Sequence, residues 1–417
     1  MFCSKLNLVL VKKNSLYIRS FHSVFGNFKF RLRFNYQSLC VKYLVKKLIF
    51  MEFMKFLPNF KTKYIRKPVD YEKTFLGNTC DNFKLGVSFT NNSVKLYTEF
   101  YSSDVIIASP LGIRRLIGAP GDIHRDFDFL NSIELLVFDQ ADIFLAQNWD
   151  NILHILEHMH LRPVTHRTTD FSRVRSWCLN ELSQFYRQTL LFSHHEFPEL
   201  RSLFECRCLN YSGKVHISNP ILLGSIQNIF VNIPQCFYKI DVSSFQNSFE
   251  SRFEYFIQEI LPKFRKPCMS HCMIYIPSYY DFVRLRNYFK QESINFVQIC
   301  EYSKNQKVAR ARDIFYHSGA PFLLYSERYH FFRRAQIKGI RHLIIYQSPS
   351  WHNFYAEIIN LMHEFNQNGL DGLGSFMSIT VLYTKYDMMQ MNGILGSTNA
   401  EKLLKSRNVM HIFSCNK

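Results

Sequence analysis

The chain has 417 residues, of which 47% are hydrophobic and 16% are aromatic. This composition excludes an intrinsically disordered protein, and the length exceeds the size at which a single hydrophobic core usually stops growing. Lys and Arg number 51 against 33 Asp and Glu, which gives a net charge of +18. A nucleic acid or an anionic membrane surface would both suit that charge.

The N-terminal part, residues 1–63, differs from the rest of the chain. Lys and Arg are frequent there, and the first acidic residue is Glu52. A mitochondrial presequence has this character, but we favour a basic, poorly ordered extension. No stretch of the sequence reaches the ~18 uninterrupted apolar residues that a membrane-spanning helix needs, so we expect no membrane partner.

Beyond residue 104, short apolar runs alternate with segments of helical periodicity. This pattern is typical of parallel strands joined by crossover helices, and thus of an α/β fold. Helices are predicted over residues 149–160 and 279–291, where apolar residues recur at helical spacing. The predicted strands are residues 104–108, 134–138, 189–192, 226–233, 272–276, 296–300, 322–325, 342–346 and 379–383.

A segment containing Ser, Gly and Asn, residues 211–223, separates two groups of predicted strands. Such a composition is typical of a domain boundary. We therefore predict a first domain over residues 64–220 and a second over residues 221–417, after the basic extension.

Several short segments occur in the order of the motifs of superfamily 2 RNA helicases. Residues 106–114, which end on Arg114, resemble the segment that contacts RNA phosphates in those enzymes. Residues 191–195 stand where a Ser-Ala-Thr motif is expected, and residues 273–278 resemble the strand that opens the second helicase domain. The spacing fits two tandem RecA-like parallel-sheet domains.

The segment formed by Asp139, Gln140, Ala141 and Asp142 resembles the Asp-Glu-Ala-Asp box. In an active helicase the first Asp holds Mg²⁺ through water, and the Glu deprotonates the attacking water. Gln140 replaces that Glu and cannot act as a general base. The phosphate-binding Gly-x-x-x-x-Gly-Lys-Ser/Thr loop is missing from the sequence, as are the late arginines, since residues 354–361 contain none. We therefore predict no catalytic residue and no enzyme activity.

Longer segments carry a more specific resemblance, which runs from about residue 64 to the C-terminus. They are residues 95–104, 109–112, 139–142, 147–149, 169–175, 186–193, 210–215, 277–284, 296–302, 339–343 and 383–387. Together they resemble the digestive organ expansion factor family, also called the U3 small nucleolar RNA-associated protein 25 family.

The resemblance implies a non-catalytic, helicase-like scaffold of the small-subunit processome, located in the nucleolus of the nucleus and required for processing of ribosomal RNA precursors. It implies the ribosomal RNA precursor, U3 small nucleolar RNA and other processome proteins as direct or indirect partners. Family members carry the first strands of the first RecA-like lobe ahead of the matching region. The resemblance therefore also predicts that the first domain of this chain is N-terminally incomplete.

Two other functions remain open at this point. Asp139 and Asp142 are retained, as a divergent RNA-dependent ATPase or helicase would require, and the basic N-terminus would suit a mitochondrial RNA-binding protein. The cysteines do not favour a metal, because Cys206 with Cys208, and Cys268 with Cys272, lack matching ligand pairs. We expect neither a metal nor another cofactor.

Basic clusters predict surfaces for RNA or a partner protein. Residues 328–341 combine basic and aromatic side chains, as RNA-binding proteins do. A second basic stripe on one side of a helix is predicted from Lys304, Lys307, Arg310 and Arg312. Each cluster has a structural alternative: core aromatics, a solvated helix face, or an ion pair of Asp170 with a nearby arginine. The candidates are Arg114, Arg173, Arg175, Lys307, Arg310, Arg328, Arg333, Arg334, Lys338 and Arg341.

Overall fold

The computed structural model describes residues 8–11, 67–75, 81–90, 93–122, 125–163, 174–218, 221–266, 269–367 and 376–414. The chain divides into two compact units. Unit 1 comprises Met1–His194 and Glu199–His216, and unit 2 comprises His195–Pro198 and Ile217–Lys417. The division after His216 lies close to the domain boundary predicted at residue 220. The extension predicted over residues 1–63 lies outside the described residues, apart from one strand.

Unit 1 is built on a six-stranded mixed sheet in the order β3-β2-β4-β1-β5-β6. Its strands are β1 (Leu8–Val11), β2 (Lys84–Phe89), β3 (Val94–Leu96), β4 (Val105–Ala108), β5 (Leu135–Phe138) and β6 (Gln188–Leu191). Its helices are α1 (Val69–Phe75), α2 (Pro110–Ile117), α3 (Asp150–His158), α4 (Ser176–Leu179), α5 (Ser183–Tyr186) and α6 (Pro198–Arg207).

The α/β fold is confirmed, but the sheet of unit 1 is not the parallel sheet that the sequence predicted. Among its described strands, β5 and β6 pair in parallel. Strand β1 lies antiparallel between β4 and β5, with Val9 opposite both Ile107 and Val137. Strands β2 and β3 form an antiparallel pair, because the connection between them is too short for the crossover that parallel strands need.

Unit 2 carries a seven-stranded sheet in the order β13-β7-β12-β11-β8-β10-β9. Its strands are β7 (Gln235–Lys239), β8 (Cys272–Ile276), β9 (Phe296–Ile299), β10 (Phe322–Ser326), β11 (His342–Ile345), β12 (Ser378–Tyr383) and β13 (Met410–Phe413). The pairs are parallel, as predicted, except that β13 pairs antiparallel with β7.

The helices of unit 2 cover both faces of this sheet. Alternate residues of β8 belong to two separate hydrophobic cores, with Met273 and Tyr275 in one and Ile274 and Ile276 in the other. Parallel strands buried on both faces have this arrangement. The helices are α7 (Ser248–Tyr255), α8 (Leu261–Phe264), α9 (Tyr279–Gln291), α10 (Asn305–Tyr316), α11 (Glu327–Arg333), α12 (His352–Asn360), α13 (Met388–Leu395) and α14 (Ser397–Lys405), with a π-helical turn (Phe256–Ile260) joining α7 to α8.

One predicted strand of unit 2 is wrong. Residues 226–233 form no strand, and a 3-10 helix, Ser225–Asn228, occupies their start. Their backbone groups bond to a side chain instead of a neighbouring strand: Asn360 accepts from the Phe230 amide at 2.9 Å and donates to the Asn228 carbonyl at 2.9 Å. The apolar run is real, because Ile229 and Ile233 are buried in the core.

Candidate functional site

The box-like residues follow directly on β5, at the carboxyl end of that buried strand. The Ala141 amide donates to the Phe192 carbonyl at 2.8 Å, which ties the box to the end of β6. Asp142 is buried and accepts from the His194 amide at 3.2 Å and from the Ser193 hydroxyl at 3.4 Å. The structure therefore brings together the two segments that resemble the box and the Ser-Ala-Thr motif.

Gln140 stands at the position that decides the chemistry of this box. Its backbone adopts a left-handed conformation, with φ +56°, which is uncommon for a residue other than glycine. The side chain is half-buried, and Asp139 beside it is half-buried as well. An amide can orient a water by hydrogen bonding but takes up no proton near neutral pH. The residue of this segment that resembles the catalytic Glu therefore has no basic character.

The segment that resembles an RNA-contacting motif forms the capped start of α2. The Ser109 side chain accepts from the Gly112 amide at 3.0 Å, and Pro110 occupies the first helical turn. A Cβ atom at Gly112 would lie 2.6 Å from the Phe83 carbonyl oxygen, so the close approach requires glycine. Arg114 is half-buried and donates to the Asn151 side chain at 3.1 Å, which holds it against α3.

The aromatic-basic segment of unit 2 proves to be largely structural. Tyr329 and Phe331 are buried, which agrees with the core interpretation of its aromatics. Arg334 is 6% exposed; its Nε lies 3.1 Å from Glu357 Oε2, and its guanidinium lies 4.0 Å from the centre of the Phe354 ring. We therefore leave Arg334 out of any proposed surface. Of its other basic residues, Arg333 and Lys338 are exposed, and Arg328 and Arg341 are half-buried.

A carboxyl group that no sequence pattern marked, that of Glu327, is buried next to this segment. Glu327 accepts from the Tyr275 hydroxyl at 2.8 Å and from the Ser350 amide at 3.0 Å. Burial raises the pKa of Glu327 to about 7, although these hydrogen bonds and the nearby Arg334 oppose the rise. Because these partners come from distant parts of the chain, no local sequence signal marks the site.

The basic stripe predicted on α10 is divided between two flanks of the helix. Lys307 and Arg310 are exposed, and Val308 and Phe315 are buried. At about 100° of rotation per residue, Lys307 and Arg310 lie on one flank of the buried face. Arg312 lies on the opposite flank. Lys307 and Arg310 therefore share a surface, Arg312 does not, and Lys304 precedes the helix as its N-cap.

Two exposed tyrosines that no sequence pattern marked follow β8 and β9 of the same sheet. Tyr280 is 88% exposed in the first turn of α9, and Tyr302 is 68% exposed between β9 and α10. Tyr279 meets Tyr302 edge-on, with the ring centres 5.2 Å apart. Both positions follow strands of the parallel sheet, and ligands of open α/β sheets bind at the carboxyl ends of the strands. We call Tyr280, Tyr302, Lys304, Lys307 and Arg310 the edge surface of unit 2.

Arg175 in unit 1 forms an ion pair with Glu134, with Nη2 3.1 Å from Oε1, and keeps 59% of its side chain exposed. Burial raises the pKa of Glu134, and Arg175 partly offsets this rise. Arg173 and the proposed pairing of Asp170 lie outside the described residues. No group of His, Cys, Asp and Glu in the part of the chain that is described could hold a metal ion, and no described helix is long and apolar enough to span a bilayer.

The chain matches two family models. Residues 37–215 match the model described as the UTP25, NTP hydrolase-like domain, and residues 225–413 match the model described as the Utp25, C-terminal domain. Together these matches cover most of the chain.

Curated proteins show the same relation. Over 356 residues the chain is 45% identical to the human U3 small nucleolar RNA-associated protein 25 homolog, covering 85% of this chain and 47% of the human protein. Over 349 residues it is 41% identical to U3 small nucleolar RNA-associated protein 25 of Schizosaccharomyces japonicus, covering 84% of this chain and 54% of that protein. The chain thus spans about half the length of the curated relatives it matches.

A solved structure of S. cerevisiae Dbp5 bound to RNA and ADP BeF3 resembles the chain at 14% identity, with a TM-score of 0.31, over 66% of this chain and 59% of that one. A TM-score this low supports no statement about function.

Proposed function

The chain belongs to the U3 small nucleolar RNA-associated protein 25 family, and we propose from that membership that it acts in ribosome biogenesis as a non-catalytic, helicase-like scaffold of the small-subunit processome. Its place would be the nucleolus. Its partners would be the ribosomal RNA precursor and U3 small nucleolar RNA, contacted directly or indirectly, together with other processome proteins.

The observation that carries the non-catalytic part of this proposal is Gln140. The box-like segment is held firmly by the hydrogen bonds of Ala141 and Asp142 to the end of β6. These hydrogen bonds fix the backbone that carries Gln140. Retention of Asp139 would favour metal binding in a divergent ATPase, but a carboxylate that holds a metal through water does not replace the missing base.

The edge surface of unit 2 supports the RNA-contacting part of the proposal. Tyr280 and Tyr302 offer exposed rings on which bases can stack, and Lys304, Lys307 and Arg310 are exposed cations that can neutralise phosphates. Proteins that bind single-stranded nucleic acid combine these two features. Arg114, Arg173, Arg328, Arg333, Lys338 and Arg341 remain candidate contacts, and the structure offers no geometry that raises any of them above the edge surface.

Association with pre-ribosomal particles tests the proposed function. The tagged chain and its Asp139→Asn and Gln140→Ala variants would be expressed in cells and separated on sucrose gradients, and the U3 RNA recovered with each tag would be measured. We expect all three proteins to sediment with the particles and to recover equal amounts of U3 RNA, since a scaffold needs no turnover. Loss of association in both variants would contradict the non-catalytic role, and no association of the unaltered chain would contradict the processome assignment.

A further inference from the structure

Unit 1 carries a column of side chains that neither the box nor the edge surface accounts for. Trp177 stacks on Tyr186, with ring centres 5.3 Å apart and an interplanar angle of 17°. Tyr186 in turn contacts Tyr211, with ring centres 5.4 Å apart. The guanidinium of Arg175 lies 5.8 Å from the centre of the Trp177 ring. We call Arg175, Trp177, Tyr186 and Tyr211 the aromatic column.

Backbone contacts hold the members of the column in place. Tyr186 ends α5, and the Tyr211 amide donates to the Phe185 carbonyl at 2.9 Å. The Asn210 side chain donates to the Arg187 carbonyl at 3.0 Å. The ion pair of Arg175 with Glu134 fixes the cationic end. The column is therefore preorganised for a ligand, which reduces the conformational entropy lost on binding.

The column lies at the end of the unit 1 sheet opposite the box-like residues. Tyr186 precedes β6, and Glu134 immediately precedes β5, whereas Asp139 follows β5. Because β5 and β6 are parallel, the two sites are separated by the length of the strands, about 13 Å for four residues. A ligand of the column would therefore be distinct from a nucleotide at the box.

The exposure of two rings of the column favours a binding role for it. Tyr211 is 74% exposed and Tyr186 is 47% exposed. These rings therefore contribute little to the hydrophobic core of unit 1. An aromatic stack that ends in an open ring can accept a further planar group.

The charges nearby favour a polyanion as that ligand. Arg175 is more than half exposed. Lys214 is exposed, and its ammonium donates to the Glu205 carbonyl at 2.6 Å, a contact that leaves its positive charge unneutralised. Single-stranded RNA combines planar bases with phosphates, and sequence-tolerant stacking on aromatic side chains is a usual way to bind it.

We propose that the aromatic column of unit 1 binds single-stranded RNA, with a base stacked on Tyr211, with Lys214 neutralising one phosphate and with the exposed side of the Arg175 guanidinium contacting another phosphate of the strand. This contact is separate from the edge surface and shares with the proposed function only the class of partner. The other candidate occupant, an acidic protein segment, would need the same cations but would gain less from the open ring.

Binding of a fluorescent uridine decamer to the purified chain, measured by anisotropy at several salt concentrations, tests the proposal. We expect Tyr211→Ala to weaken binding by about fivefold to a hundredfold, the loss of one base–aromatic stack. Tyr211→Trp should bind at least as well as the unaltered chain. Phe230→Ala is the matched control, since Phe230 is 70% exposed in unit 2 and belongs to neither surface.

A charge-removing variant and competition by a polyanion without bases complete the test. Lys214→Gln should lower the slope of log affinity against log salt by about 0.7, the value for one phosphate contact on a single strand. Equal affinity of Tyr211→Ala and the unaltered chain would overturn the proposal. So would displacement of the decamer by polyglutamate at equal charge concentration. If Tyr302→Ala weakens binding and Tyr211→Ala does not, the column fails as an RNA site while the edge surface and the proposed function stand.

Discussion

Arg334 and Glu327 belong to a buried polar cluster that shows how burial decides what a charged residue can do. Arg334 pairs with Glu357, and His330 Nε2 lies 3.1 Å from the same Glu357 oxygen. Unpairing a buried charge of this kind usually costs about 3–5 kcal/mol. The guanidinium is therefore committed to the interior of unit 2, although its basic sequence context is typical of an RNA-binding segment.

The raised pKa of Glu327 predicts a pH dependence of folding stability. Because its pKa rises from 4.5 to about 7 on folding, the folded chain keeps a proton that the unfolded chain releases between those values. This group therefore makes the free energy of unfolding fall as the pH rises from about 4.5 to about 7. In Glu327→Gln, which stays neutral and can still accept the hydrogen bonds of Tyr275 and Ser350, that part of the fall should vanish.

Urea unfolding of both proteins at intervals between pH 4.5 and 8 measures this difference. Glu401→Gln is the control, because Glu401 is an exposed partner of Lys405 and such pairs contribute little. A Glu327→Gln protein whose stability falls with pH as steeply as that of the control would disprove the assignment.

Sequence patterns correctly predicted the strands that are buried inside the sheet of unit 2. They failed for residues 226–233 and for the edge strand β13. The apolar runs at β8, β10 and β11 were predicted correctly because strands buried on both faces need continuous apolar residues. The wrong strand at residues 226–233 has the same appearance, and only the side chain of Asn360, far along the chain, reveals where its backbone bonds. Strand β13 was missed because its residues alternate between exposed and half-buried.

Some features of the candidate site could likewise be predicted from the sequence, and others required the structure. Gln140 is a local feature, so the sequence alone is enough to predict that this position offers no base. The edge surface depends on which residues follow which strand, so Tyr280 and Tyr302 became candidates only through the topology of the sheet. Helical rotation then separated Arg312 from Lys307 and Arg310, although the three are close neighbours in the sequence.

The edge surface predicts a graded loss of RNA binding at the level of a helix. Lys307→Ala and Arg310→Ala together should lower the slope of log affinity against log salt by about 1.4, since each phosphate contact contributes about 0.7 on a single strand. Lys290→Ala is the control, because Lys290 is exposed near the other end of α9. The slope would be measured with a uridine oligonucleotide by anisotropy, and an unchanged slope in the double variant would exclude these residues as phosphate contacts.

At the scale of the whole molecule, the chain joins a mixed-sheet unit, which carries the box-like residues 139–142, to a unit with an almost entirely parallel sheet. Its family models cover both parts, while it spans about half the length of its curated relatives. The family assignment rests on sequence identity along most of the chain. The proposed lack of catalysis rests on the chemistry of one position, Gln140.

ATP hydrolysis by the purified chain tests that central claim most directly. Phosphate release would be measured with and without single-stranded RNA, for the unaltered chain and for Asp139→Asn, in which the carboxylate that would hold the metal is removed. We expect no hydrolysis above the level of Asp139→Asn under either condition. RNA-stimulated hydrolysis that Asp139→Asn abolishes would show that the box is an active site and would contradict the account.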